Sequence, residues 1–216
     1  MPKIVDHEAR RAEIVAAVWR VIERAGMSGA TVRSVAAEAG VSPGSLRYYF
    51  ADQGELVLFA AEAMTQRVVH RLEAHPNSGD GLVRAIRVLE ELLPLDEDRR
   101  AEASVWLEAI VRARFDERLA ALKTAGWFGS RYLCRLAWAH LRDLDLPNSP
   151  AFRFGSIADE HAAAELHTYI DGLTLQAVTY PEQLTADEVR RLLRDYVLRN
   201  YPEAECERDP TGNLRP

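Results

Sequence analysis

The chain has 216 residues, with 27 basic and 33 acidic side chains, a net charge of −6 and 48% apolar residues, which fits one domain or two small ones. Its longest stretch free of Asp, Glu, Lys and Arg is the ten residues 172–181; a bilayer-spanning helix takes about 20 apolar residues, so no membrane segment is expected. The first residues lack the apolar run of a secretory signal, and Cys134 and Cys206 form neither a disulfide framework nor a metal-ligand spacing, which suits a cytoplasmic protein without a metal or cofactor.

As an average, the acidic balance argues against nucleic acid. It hides a split: residues 1–50 carry seven basic and five acidic side chains, a net of +2, while the rest of the chain carries −8. A segment whose charge departs from its surroundings points to a separate partner.

In chain order, the pattern is helical nearly throughout. Ile14, Val18, Ile22 and Ala25 recur on one face of a 3.6-residue period, with Asp6 as an N-cap and Gly26 as a stop. A second helix opens at Thr31, turns Val32, Val35, Ala36 and Ala39 inward and ends at Gly40. A third, short one opens at Ser42-Pro43, an N-cap hydroxyl followed by proline at the first helical position. A longer helix starts at Asp52, where Asp52 and Glu55 have capping-box spacing, and buries Leu56, Phe59, Ala60, Ala63 and Met64. Prolines then separate periodic segments at about 80–93, 97–113, 115–145, 156–178 and 185–200, the last opened by a Thr185–Glu188 capping box. Gly126 and Gly129 weaken the helix expected over 115–145. No alternating strand pattern is present. The sequence predicts an all-α protein with a helix-turn-helix domain over residues 1–51, a larger helical domain over 52–201 and a polar, disordered tail over 202–216.

The informative stretch is residues 31–50, TVRSVAAEAGVSPGSLRYYF. Two short helices flank the tight turn Ala39-Gly40-Val41-Ser42, and Gly40 stands where a helix-turn-helix needs a left-handed residue. The second helix of such a motif enters the DNA major groove by its N-terminal end. Small residues there, Pro43, Gly44 and Ser45, let the backbone approach base edges, and Arg47 offers a guanidinium fork to guanine O6 and N7. Tyr48 and Tyr49 can place hydroxyls on phosphates, as can Thr31 and Ser42 at the helix starts. One of the two tyrosines is also expected to pack partly against the first helix, and Trp19 is expected in the core.

These residues, with the flanking GA and the following ADQGELV, resemble the DNA-binding domain of TetR-type transcriptional regulators over about residues 8–68. The C-terminal part is more weakly similar to the BetI-like branch, through EELLPLDEDRRAEASVWL and LHTYIDGLTLQA. The resemblance implies a homodimer on a near-palindromic double-stranded DNA operator, with Pro43, Gly44, Ser45 and Arg47 reading bases, aided by Arg33, and Thr31, Ser42, Tyr48 and Tyr49 meeting phosphates. Family members usually carry a lysine where this chain has Gln53, so one charged phosphate contact becomes a neutral one.

The resemblance also implies a small-molecule effector pocket among the central helices. Trp106 and Trp127 are nominated as its aromatic walls, suited to an apolar or aromatic-compatible ligand. The last two helices resemble the family's dimer-forming pair, with one stripe of Leu166, Ile170, Leu173 and Ala177 and another of Val189, Leu192, Leu193 and Tyr196. Either stripe also fits intrachain core. His161 and Glu165 stand one turn apart with His167 nearby, but exposed or interface polar residues are the simpler reading. No Gly-x-Ser-x-Gly, P-loop or His-Glu-x-x-His pattern occurs, so an enzyme has no support. The expected function is a ligand-responsive repressor whose effector shifts the helix beginning at Asp52. The rival reading is a small-molecule-binding or scaffolding protein that has lost operator recognition.

Overall fold

The computed structural model describes residues 7–50, 52–75 and 78–202. The expected cap at Asp6, the proline at 76, Cys206 and the tail from 203 onward lie outside them. All regular structure among the described residues is helical: α1 (His7–Gly29), α2 (Val32–Glu38), α3 (Pro43–Arg47), α4 (Gln53–Ala74), α5 (Gly81–Glu90), α6 (Glu97–Arg112), α7 (Ala120–Arg142), α8 (Ile157–Thr179) and α9 (Ala186–Asn200), with one 3-10 turn at Glu117–Leu119. None of these helices is long and apolar enough to cross a membrane.

The chain divides into two compact units, Met1–Val69 with Arg100–Thr124, and His70–Arg99 with Ala125–Pro216. In the first, Ile14, Val18 and Ile22 of α1 meet Val35 and Ala36 of α2, Leu46 of α3, Phe50, and Leu56, Phe59 and Ala60 of α4 in one buried cluster. Ala63 and Met64 pack at its edge, half-buried. Ala25, expected inside, is exposed, whereas Val21 and Met27 are buried. The helical geometry of α1 breaks at Gly26, whose φ is +67°. The chain changes course there, so Met27, which follows the break, is buried outside the stripe that the period of α1 marks. Trp19 is buried, with the Arg67 guanidinium 4.5 Å over its ring.

In the second unit, Leu82, Ala85, Val88 and Leu89 of α5 are buried, as are Leu133, Ala137 and Trp138 of α7 and Val189, Leu193 and Val197 of α9. Helix α7 runs unbroken through Gly126 and Gly129. Two glycines cost such a helix about 2 kcal/mol relative to alanine, less than burial of Leu133 and Trp138 returns at roughly 1.5–3 kcal/mol each. Thr185 caps α9 as expected, its Oγ1 accepting from the Glu188 amide at 3.3 Å.

Candidate nucleic-acid interface

Local chemistry builds the motif. Thr31 caps α2: its Oγ1 accepts from the Ser34 amide at 3.1 Å, and the Ser34 hydroxyl receives the Thr31 amide at 2.9 Å, a reciprocal box closed by serine rather than by the usual Glu or Gln. Ser34 is further tied to the Gly29 carbonyl at 2.7 Å. The turn is then made at Gly40, with φ +65°, and the Val41 amide reaches back to the Ala36 carbonyl at 3.0 Å. No atom stands within 4 Å of where a Cβ on Gly40 would lie, so the glycine is required by its backbone angle and not by crowding. Ser42 caps α3, accepting from the Ser45 amide at 3.0 Å, with Pro43 in the first turn.

Leu46 is fully buried in this corner and Phe50 nearly so, which orients the rest of α3 outward. Thr31, Arg33, Ser42, Pro43, Gly44, Ser45 and Arg47 are all exposed. Tyr48 is 80% exposed and stands edge-on to Tyr49 at 5.4 Å, while Tyr49 is half-buried against the core, so the pair divides between surface and packing. Space above Gly44 is open, its nearest neighbour being Ser42 Oγ at 3.8 Å from an added Cβ. Gln53 opens α4, and its side chain lies outside the described residues.

Electrostatics favour this face for an anion. Among the described residues, no ion-pair partner is recorded for Arg33 or Arg47. The one carboxylate on α2, Glu38, is occupied: Arg20 Nε and Arg24 Nη1 of α1 donate to it at 2.7 and 3.0 Å and hold it below the usual carboxylate range. Sequence reasoning missed this clamp, and also Arg118, which bridges Asp52 at 2.8 Å and Asp116 at 2.7 Å. Asp52 also accepts the Glu55 amide at 3.1 Å, so the start of α4 is held from both directions. The Asp52 partner lies 66 residues away, beyond any local pattern.

The structure separates the remaining nominated residues. Trp106 is half-buried and belongs to the first unit; Trp127 belongs to the second. Trp127 is 47% exposed and sits 5.1 Å from Phe128 and 5.9 Å from His167. Leu166, Ile170, Leu173, Ala177, Val189 and Leu193 are buried within the protomer and have almost no area left to offer a second copy; only Leu192 and Tyr196, half-buried, retain surface. Beside them is a shallow groove of about 500 Å³ lined by His161, Ala164, Glu165, Thr168, Tyr169 and Tyr196. Tyr169 and Tyr196 stack there at 3.7 Å, and Tyr169 donates to the Leu192 carbonyl at 2.9 Å. No cluster of three or more metal-ligating side chains occurs among the described residues. Cys134 is fully buried, and burial pushes its thiol far up.

Residues 14–59 match the family model of bacterial regulatory proteins of the tetR family, and residues 83–201 match that of the BetI-type transcriptional repressor C-terminal region. The chain is 34% identical over 206 residues to the HTH-type transcriptional regulator PksA of Bacillus subtilis, covering 91% of this chain and 92% of that one. It is 32% identical over 213 residues to the BetI regulator of Burkholderia mallei, covering 91% and 96%. A solved regulator from Saccharomonospora viridis, in complex with choline, is 25% identical with a TM-score of 0.68, covering 89% of this chain and 97% of that one.

Proposed function

Because the chain belongs to the TetR family of bacterial transcriptional regulators, with a BetI-type C-terminal part, we propose that it represses transcription as a homodimer on a near-palindromic operator and is released by a small-molecule effector. Binding of DNA through the helix-turn-helix is the family's property, and the family regulates transcription instead of catalysing a reaction. What carries the finer reading is α3 itself: an outward Arg47 with no recorded ion-pair partner, beyond a small and open Pro43-Gly44-Ser45 start, on a turn locked by Gly40 and a buried Leu46.

In this reading Arg47 takes guanine O6 and N7, Pro43, Gly44 and Ser45 follow the base edges, and Arg33 assists from α2. Thr31 and Ser42, whose oxygens cap α2 and α3 and whose hydroxyls also contact those of Ser34 and Ser45 at 3.0 and 2.9 Å, turn a hydroxyl to phosphate when DNA binds, joined by Tyr48, Tyr49 and Gln53. Two copies related by a two-fold present their α3 helices one DNA turn apart, about 34–36 Å. The buried α8 and α9 stripes hold those helices together within each copy, and the groove at Thr168, Tyr169 and Tyr196 supports the second copy docking on their outer face. Trp127 is the aromatic wall of the effector site; a choline complex in a relative supports a small-molecule ligand for this unit without fixing its chemistry.

The test is fluorescence anisotropy on duplexes tiled across the DNA flanking the chain's own gene, over a salt series. A site-specific complex of two protomers is expected. Absence of any operator-specific complex, with binding equal to that on random duplex, leaves the rival small-molecule-binding reading in its place.

A further inference from the structure

Helices α7 and α8 face each other through a ladder of polar contacts. Trp138 Nε1 donates to Asp159 at 2.9 Å, and Arg135 Nε and Nη2 donate to the two oxygens of Glu160, each at 2.8 Å. One turn along, Arg131 Nε donates to His167 Nδ1 at 3.1 Å. The first two rungs end on carboxylates; the third ends on an imidazole. Accepting at Nδ1 places the His167 proton on Nε2, toward Asp171 Oδ2 at 3.5 Å. Burial, reinforced by the neighbouring Arg131 and Arg135, lowers this imidazole to about 4, so it is neutral at pH 7. Asp171 stands behind it and feels the charge of Arg131, with no hydrogen bond between the two recorded among the described residues.

Arg131 therefore feels the charges of Glu160 and Asp171 only at a distance, and among the described residues its recorded hydrogen bond is to His167 and not to a carboxylate. Burial draws its guanidinium down from its ordinary value. Its Nε is pinned by His167, its Cζ lies 5.0 Å from the centre of the half-exposed Trp127 ring, and among the described residues no hydrogen-bond partner is recorded for its Nη atoms. Arg135, one turn on and 1% exposed, repeats the shortage: its Nη1 is buried without a partner although its other nitrogens hold Glu160.

We propose that the α7–α8 seam binds a hydrophobic carboxylate, whose two oxygens take the end-on fork of Arg131 and whose apolar body lies against the exposed part of Trp127. An end-on guanidinium fork matches a carboxylate bidentately. A quaternary ammonium is disfavoured here because the Arg131 and Arg153 guanidiniums already stand over the Trp127 and Phe128 rings and repel a further cation. This rests on the effector-responsive reading above and names the ligand class of that site.

The experiment is calorimetric titration of the full-length protein with benzoate, 2-naphthoate and octanoate, against choline and benzylammonium. At least one carboxylate is expected to bind saturably, and Arg131→Gln, which keeps the length and loses the charge, to weaken it at least tenfold. Trp127→Leu, at a half-exposed position, should weaken the aromatic carboxylates and spare octanoate more; it serves if Arg131→Gln does not fold. The NMR titration of His167 gives an independent reading, since a bound anion raises the imidazole from about 4 and a bound cation lowers it further. No saturable binding by any of the three carboxylates overturns the proposal, as does binding unmoved by both variants or tighter binding of either cation. Operator binding is measured separately without ligand. Intact operator binding with no carboxylate site overturns only this proposal, and a carboxylate site without operator binding overturns only the regulator reading.

Discussion

Replacing Glu91 by alanine is expected to remove a large part of the stability of the second unit. Glu91 follows α5 with its side chain fully buried, and three side chains close on it: Arg71 Nε at 2.6 Å, Arg99 Nη2 at 2.7 Å and His75 Nε2 at 3.1 Å. Hydrogen bonds from the two arginines outweigh burial and hold the carboxyl below its ordinary 4.5. Deleting one member of a buried ion pair costs about 3–5 kcal/mol, because the partner charges stay desolvated. Arg71 and Arg99 keep roughly a quarter and a fifth of their side chains exposed, and Arg99 retains Asp96 at 3.0 Å, so solvent and Asp96 offset part of this. The lower end, about 3 kcal/mol, is the expected loss, against a total of about 5–15 kcal/mol for a domain. Urea unfolding followed by circular dichroism measures it, with the exposed Glu182→Ala as a control expected within about 0.5 kcal/mol. The pH dependence carries the same sign. With the folded pKa depressed, the unfolded chain binds the proton first, so this stability is present above pH 4.5 and is lost as the pH falls below it. A loss under about 1 kcal/mol at pH 7, or one unchanged well below pH 4, would refute the reasoning.

Four other outcomes are expected. Arg47→Ala should cost roughly 1–3 kcal/mol of operator affinity and relax preference at one base pair per half-site; uniform weakening on every sequence would make it a phosphate contact. Gln53→Lys should steepen the salt dependence of operator binding by about 0.9 in log–log slope for each phosphate gained, and an unchanged slope would remove residue 53 from the interface. Gly40→Ala meets no steric contact, so thermal unfolding should show only the left-handed backbone cost of about 1–2 kcal/mol; a larger loss would mean the turn is crowded. His167, lowered from 6.5 to about 4, makes the fold lose stability as the pH falls through that window, while Asp171, raised from 3.8 to about 6, gains it. His167→Gln removes the first effect, worth up to about 3 kcal/mol, so the variant should gain on the parent chain between pH 6.5 and 4 in urea titrations, and a flat difference would refute the assignment.

The amino-acid sequence by itself determined the features that arise from neighbours in the chain. Caps at Thr31, Ser42 and Thr185 and the reversal at Gly40 depend on contacts within five residues and are legible in the sequence, whereas the outward set on α3 also needs Leu46 and Phe50 buried against distant helices. The helical class is legible there too, because a 3.6-residue apolar period marks a helix wherever it occurs. A period names a face but not what covers it. The stripes at Leu166 and Val189 read equally as interface or core, and it is the tertiary structure that shows which of their residues are buried within the protomer and which, Leu192 and Tyr196, keep surface. The same limit hid the polar contacts. Glu38 with Arg20, Glu91 with Arg71, Arg131 with His167 and Asp52 with Arg118 join residues 18 to 66 positions apart. Charge complementarity among dozens of ionic side chains does not select such pairs; helix packing does, by bringing specific turns of different helices within hydrogen-bond reach. The small net charge of +2 over residues 1–50 was visible in the sequence, but which arginines it leaves without a recorded partner on the open face was decided by the fold.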